Sequence, residues 1–320
     1  MIAVSVSVEG VAGLTWSRWK RLIAAIEQLG FAGLYCSDHI VLPDPVPTDS
    51  LEMVLALGYL ADHTQRVHFG PLVSPLSFRD PVMLARQAVA LDDLSGGRMI
   101  LGVGAGWMER EHEMFGYQLG DMSTRMDRLE EGLEVITRLL QNDEPVSYMG
   151  RFYQLHDALL LPRSPRPHGP PILIGGKGPK RSLPLVARYA HIWNATGLKP
   201  DAFRERSAQL DELLQAAGRQ LRDVKRTVLF PIYCARNEGE LEQRLSWARI
   251  FPECATIPLD AVAETVHSWF TTMIMGPPER IVEQIRAYAD VGVEEVIVQW
   301  FGLDDIEGLQ ILAEQVVPYL

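Results

Sequence analysis

Asp38 and His39 stand side by side at the end of a short apolar run, GLYCS (33–37). An imidazole titrates near neutral pH and can give or take a proton, and an adjacent carboxylate can orient a bound molecule. In isolation such a dipeptide is also an ordinary surface turn, and only its place at a strand end singles it out. A second group, Gly-Gly-Lys-Gly-Pro-Lys (175–180), follows a β-branched run and opens a helical pattern. Glycines let backbone N–H groups approach an anion, and a helix N-terminus adds a favourable dipole. Gly175, Gly176, Lys177 and Gly178 are therefore a candidate phosphate cradle, with charge from Lys177 and Lys180. The spacing is not that of a Walker loop, and a plain strand-to-helix turn would also use glycine here. A third group, Gly102-Val-Gly104-Ala-Gly106-Trp107, misses GxGxxG because Trp107 takes the last glycine's place. It reads either as close packing of a strand end or as a flat backbone surface for a planar ring, with Trp107 near the mouth.

Hydrophobic period supplies the elements that must hold these groups. Strands are predicted over 2–8, 33–37, 67–72, 99–103, 172–174, 191–194, 227–233 and 295–299. Helices are predicted over 16–29, 51–64, 81–94, 124–141, 180–189, 201–217, 279–291 and 305–316. Eight strands alternating with helices is the count of a closed (β/α)8 TIM barrel, and an open doubly wound sheet is the alternative. The expectation is one barrel domain across 1–320. Two stretches exceed ordinary loops: 147–171, with five prolines, and 235–278. Both are expected to be excursions over the mouth at the C-terminal face. In such a barrel the site forms where strands end. That rule gathers Glu9-Gly10, Asp38-His39, Pro71 to Ser74, Gly104 to Trp107, Gly175 to Gly178, Asn194-Ala195 and Gln299-Trp300.

Composition removes several classes of function. With 30 basic against 41 acidic residues the net charge is −11, which disfavours nucleic acid or an anionic membrane as partner. An anionic ligand must then be held by local donors. Three cysteines with no CxxC pair fit neither a disulfide framework nor a zinc site, and point to a reducing cytoplasm. The start, MIAVSVSVEG, lacks the charged and apolar regions of a signal peptide, and no apolar run approaches the ~20 residues of a membrane span. No metal site is expected, because the first strand carries no histidine and His63 and His68 fall on different elements. Glycoside hydrolysis would need two carboxylates at strand ends; Glu9 and Asp38 are candidates, but their pairing is not readable from spacing.

The run LARQAVALDDLSGGRMILGVGAGWMEREHEMFG (84–116) closely resembles the signature of the bacterial luciferase-like oxidoreductase family. So do GLYCSDH (33–39), GPLVSPLSFRDP (70–81) and PPILIGGKGPKRSLPLVARYAHIWNA (170–195). The matches lie in order and cover most of the chain, with 235–272 the least similar part. Within the family the chain is most similar to the branch using coenzyme F420, a 5-deazaflavin, in place of FMN. The resemblance implies a homodimer with the cofactor ring over the strand ends. By position, Asp38 would contact the ring system and His39 would stand beside the hydride-bearing carbon. Pro71-Leu72 would fall on a non-prolyl cis-peptide bulge behind the ring, with Ser74 nearby. Ala105, Gly106 and Trp107 would line the cofactor, and Gly175, Gly176, Lys177 and Gly178 would bind its phosphate. One departure stands out: Trp107 occupies the place where the sugar-phosphate dehydrogenase branch has a glutamate, so that branch's substrate is not implied.

The expected activity is hydride transfer between the deazaflavin and a small organic substrate, with His39 giving or taking a proton and Asp38 positioning. An FMN-dependent monooxygenase on the same scaffold is the near alternative. A non-catalytic flavin-binding protein is the alternative of another class.

Overall fold

In the computed structural model, which describes residues 2–320, the β-branched first run forms β1 (Ala3–Val8), buried from Val4 onward. A strand covered on both faces is what a parallel sheet requires. The chain enters α1 (Trp16–Leu29) through Thr15, whose side chain accepts from Arg18 N, and leaves it through left-handed Gly30. The alternation proceeds through β2 (Gly33–Cys36), α2 (Met53–His63), β3 (His68–Pro71), the two-residue β4 (Ser74–Pro75) and α3 (Pro81–Leu94). Next come β5 (Leu101–Gly104), the short α4 (Glu109–Phe115), α5 (Met122–Gln141) and a hairpin of β6 (Val146–Met149) and β7 (Gln154–Ala158). The second half runs β8 (Ile172–Gly175), α6 (Ser182–Tyr189), β9 (Ile192–Thr196), α7 (Pro200–Ala216) and β10 (Lys225–Cys234). It ends with α8 (Glu238–Leu245), α9 (Leu259–Trp269), β11 (Ile274–Gly276), α10 (Pro278–Ala289), β12 (Glu295–Trp300) and α11 (Ile306–Gln315).

Eight of these strands make a parallel ring in the order β1-β2-β3-β5-β8-β9-β10-β12, with β12 pairing back onto β1. The seam between β3 and β5 closes through a Phe69–Met99 bridge, Ile100 N donating to Phe69 O at 2.7 Å. Closure requires glycine on both sides. A Cβ at Gly70 would lie 1.8 Å from Ile100 O, and one at Gly102 would lie 2.0 Å from Pro71 O. The predicted closed barrel is therefore the fold, and at Gly102 the close-packing reading of the glycine run holds.

Inside the ring, Tyr35, Ile100, Leu173, Ile192, Leu229 and Ile297 form an apolar plug. Below the plug, at the strand N-terminal ends, the carboxylate of Glu295 accepts from Lys225 Nζ at 2.7 Å and from the Ser5 hydroxyl. His68 Nε2 lies 3.4 Å from the same carboxylate. Burial alone would raise the pKa of Glu295, but the hydrogen bond from His68 and the charges of Lys225 and His68 bring it down to about 2.

The two long excursions differ from each other. The 147–171 stretch does not overhang the mouth: its hairpin lies on α5, where Glu131 accepts from Arg151 N and Phe152 N. The 235–278 stretch folds into α8, α9 and β11 and does reach over the strand ends. Among the described residues no helix is long and apolar enough to cross a membrane.

Candidate active site

The C-terminal strand ends enclose a cavity of about 690 Å³, within the ~300–1,000 Å³ of small-molecule and cofactor sites. Its floor is the top of the plug, Leu72 and Leu229. The strand-end residues Glu9, Asn194 and Gln299 line it. Gln299 Nε2 donates to Glu9 Oε1 at 2.8 Å, and Asn194 Nδ2 donates to Thr227 Oγ1 at 2.9 Å.

His39 faces this cavity with its side chain 22% exposed, and its Nδ1 lies 3.1 Å from Oε1 of Glu111. Glu111, on the first turn of α4, is 1% exposed and also accepts from Ile40 N at 3.0 Å. The carboxylate thus ties α4 to the backbone just past His39. It also accepts a hydrogen bond from Nδ1, leaving Nε2 as the ring nitrogen it does not engage. Trp107 packs edge-on against the imidazole, centroids 5.5 Å apart at 82°. Burial by itself would lower the pKa of His39; the hydrogen bond and charge of Glu111, with Glu9 and Asp38 beyond, overcome that and hold it above the ordinary value.

Asp38 is buried and turned away from the cavity. Arg79 grips it with Nε on Oδ2 at 2.9 Å and Nη2 on Oδ1 at 2.6 Å, and the Ser74 hydroxyl donates to Oδ2 at 2.8 Å. With both oxygens committed, the expected contact between Asp38 and a ring in the cavity is replaced by a clamp. It fastens the end of β2 to β4 and to the turn before α3. Breaking one partner of such a buried pair costs roughly 3–5 kcal/mol. The cis peptide joins Leu72 and Val73, one residue past the expected Pro71-Leu72. The reason lies in the ladder: Leu72 N still donates to Cys36 O at 2.9 Å, so the strand persists through Pro71. Leu72 and Val73 line the cavity, whereas Pro71 and Ser74 stand behind it.

On the far side, Gly104, Ala105, Gly106 and Trp107 form a backbone strip along the cavity. Gly106 has φ +78°, and a Cβ there would lie 2.2 Å from Ser77 Oγ. Arg125 Nη1 donates to Gly106 O at 3.0 Å, while its buried Nε has no protein partner. The 175–180 stretch divides in two. Gly175, Gly176 and Ser182 reach the cavity. Lys177 instead points its Nζ at Gly197 O, 3.5 Å away, and Gly178 O accepts from Leu183 N as a helix-starting turn. α6 begins at Ser182, two residues later than predicted, and has no side-chain cap on its first turn. The strip, the two glycines and the uncapped helix start together fit a planar heterocycle carrying a phosphate.

Residues that sequence reasoning left without a role complete the cavity. Glu111 is the first; its place on the first turn after a strand end was the available signal. The others are aromatic: Trp247, Phe251, Trp269 and Phe270 from the 235–278 excursion, and Phe301 just past β12.

The family model for luciferase-like monooxygenases matches residues 1–295. The chain belongs to that family. This luciferase-like chain is 28% identical over 327 residues to the F420-dependent glucose-6-phosphate dehydrogenase of Amycolatopsis mediterranei (strain U-32), covering 92% of this chain and 91% of the relative. It is 32% identical over 215 residues to the 4-hydroxyprotoasukamycin monooxygenase of Streptomyces nodosus subsp. asukaensis, covering 66% and 56%. Among solved structures, an F420-dependent secondary alcohol dehydrogenase in complex with an F420-acetone adduct superposes with a TM-score of 0.83 at 18% identity, covering 99% of this chain and 98% of that one. A long-chain alkane monooxygenase gives 0.80 at 14% identity, covering 99% and 90%. At those identities the two structures speak for the barrel. The chain is thus an enzyme of the luciferase-like oxidoreductase type.

Proposed function

We propose that this chain is a coenzyme F420-dependent oxidoreductase that passes a hydride between the deazaflavin and a small organic substrate, as one domain across 1–320, in the cytoplasm and as a homodimer. The observation that carries the reading is the His39–Glu111 pair, a cavity-facing imidazole whose other nitrogen is held by a buried carboxylate. The dehydrogenase relative, aligned over 92% of the chain, supports the choice of cofactor.

In this reading Leu72, Ala105, Gly106 and Trp107 hold the ring, and Gly175, Gly176 and Ser182 hold the phosphate end, with Lys177 and Gly178 shaping the turn behind it. When bound, the deazaflavin supplies or takes up the hydride. His39 handles the proton. With Nδ1–H donated to Glu111, the protonated ring offers Nε2–H to a substrate oxygen, and the neutral ring takes that proton back. The raised pKa of His39 keeps its donor form available toward neutral pH. Asp38 is a positioning residue: with Arg79 and Ser74 it fixes the strand end from which His39 projects.

The test is equilibrium titration of coenzyme F420 and of FMN, followed by tryptophan fluorescence, with oxygen uptake measured on adding reduced FMN. F420 is expected to bind at least ~10-fold more tightly (a difference of ~1.4 kcal/mol), with slow oxygen uptake. Tighter binding of FMN than of F420, with oxygen uptake from reduced FMN that the protein and a substrate change relative to a protein-free control, would overturn the deazaflavin reading. That outcome would support an FMN-dependent monooxygenase instead; the 32% identical Streptomyces relative is named as a monooxygenase.

A further inference from the structure

In the ring order β12 and β1 lie across from β5 and β8, so the cavity has two facing halves. One carries the glycine backbone described above. The other is walled by rings. Trp247 stacks on Phe301 with centroids 4.4 Å apart at 16°, and Trp269 meets Trp247 at 5.9 Å and Phe251 at 5.1 Å. Phe270 closes the group against Phe301 at 5.5 Å. All five line the cavity, and no lysine or arginine side chain does so among the described residues.

We infer that the aromatic half is the substrate pocket and that it takes an uncharged, ring-bearing apolar molecule rather than a phosphorylated or carboxylated one. The inference rests on the proposed function, because this half receives substrate only if the glycine half receives cofactor. Aromatic walls reward a partner that is itself flat and apolar, through buried area and through offset or edge-to-face contacts. An anion there would lose its hydration with no lysine or arginine to replace it, the one imidazole, His39, being already paired with Glu111, and would face the carboxylates of Glu9, Asp44 and Glu111. A sugar would bury hydroxyls against five rings that cannot satisfy them. A cation would find aromatic faces, but the two inner carboxylates are already engaged, Glu9 by Gln299 and Glu111 by His39 and Ile40. Asp44 is exposed at the mouth.

A charge-matched series tests this by calorimetry without turnover: 2-acetylnaphthalene (neutral), 2-naphthoate (anionic) and 2-naphthylmethylammonium (cationic), with glucose 6-phosphate as the sugar phosphate. The neutral ketone is expected to bind at least ~10-fold more tightly than any other member, ~1.4 kcal/mol. Trp269→Ala, at a partly exposed ring, and Phe270→Ala should each weaken the ketone at least ~5-fold, with F420 affinity within twofold of wild type in a parallel titration. Equal or tighter binding of naphthoate, the ammonium or glucose 6-phosphate overturns the inference. So does unchanged ketone affinity in both variants. If the ketone binds in this ring-dependent way while F420 does not bind at all, the apolar pocket stands and the cofactor reading alone falls.

Discussion

Each end of the barrel carries a histidine beside a buried glutamate, and the two pairs put the same chemistry to different use. At the N-terminal end, Glu295 has a lysine, a serine and His68 converging on it, beneath the apolar plug. At the C-terminal end, Glu111 has one imidazole nitrogen and one backbone N–H, and the imidazole's other nitrogen is left to a cavity. The lower carboxylate gathers three donors and holds strand starts together. The upper pair is equally buried at its carboxylate but keeps one valence unspent. A perturbed ionisable group marks either structure or function; what separates them here is that His39 borders the strand-end cavity and His68 does not.

The comparison breaks most visibly at His39. His39→Ala should lower turnover by ~10²–10⁴-fold, the usual worth of a positioned proton donor, with little change in the denaturation midpoint. Cofactor binding with no turnover of any substrate in wild type or variant would instead identify a non-catalytic flavin-binding protein, and equal measurable turnover in both would remove His39 from the chemistry. Glu295→Ala should do the reverse. A carboxyl shifted from 4.5 to about 2 contributes about 3 kcal/mol, to be read by urea denaturation at pH 7, with turnover per folded molecule unchanged. Because the folded value is depressed, that contribution is present above about pH 4.5 and fades as pH falls toward 2. The stability gap between wild type and Glu295→Ala should narrow over the same window.

Glu111→Gln sharpens the contrast by removing charge while keeping shape. His39 owes its raised pKa to Glu111, so its donor form should be lost at lower pH in the variant. The rate of a step that needs the protonated imidazole should then begin to fall earlier as pH rises than in wild type, as a pH–rate profile would read. The smallest effect is expected from His68→Ala: about 1 kcal/mol or less of stability, since its side chain is 30% exposed and Lys225 still holds Glu295. Turnover should not change.

Much of the ring was legible in the sequence, because period-2 and period-3.6 patterns report burial locally. The strand-end rule also gathers Glu9, Ala105, Gly106, Asn194 and Gln299, and all five line the one cavity. What stayed hidden depends on distance along the chain. His39 and Glu111 are 72 residues apart, and Asp38 and Arg79 are 41 apart; no spacing rule links such partners. β4 has two residues and α4 seven, too few to show a period. The 147–171 stretch reads as an overhang because the prolines after its hairpin signal a loop but not its direction; Glu131 on α5, which accepts from Arg151 N and Phe152 N, decides that. In the 235–278 excursion the aromatics read as scattered apolar residues, and their convergence needed the fold.

The seam at Gly70 and Gly102 sets limits on how this sequence can drift. A methyl group at either position would strike a carbonyl oxygen of the facing strand, 1.8 and 2.0 Å away. Most steric conflicts in a core can be rescued by trimming the neighbouring side chain, so mutations there are negotiable in pairs. Here the neighbour is main chain, identical for every amino acid. No second-site change can compensate, and in a saturation library these two positions should tolerate glycine alone, even where the aromatic pocket above them is free to diversify.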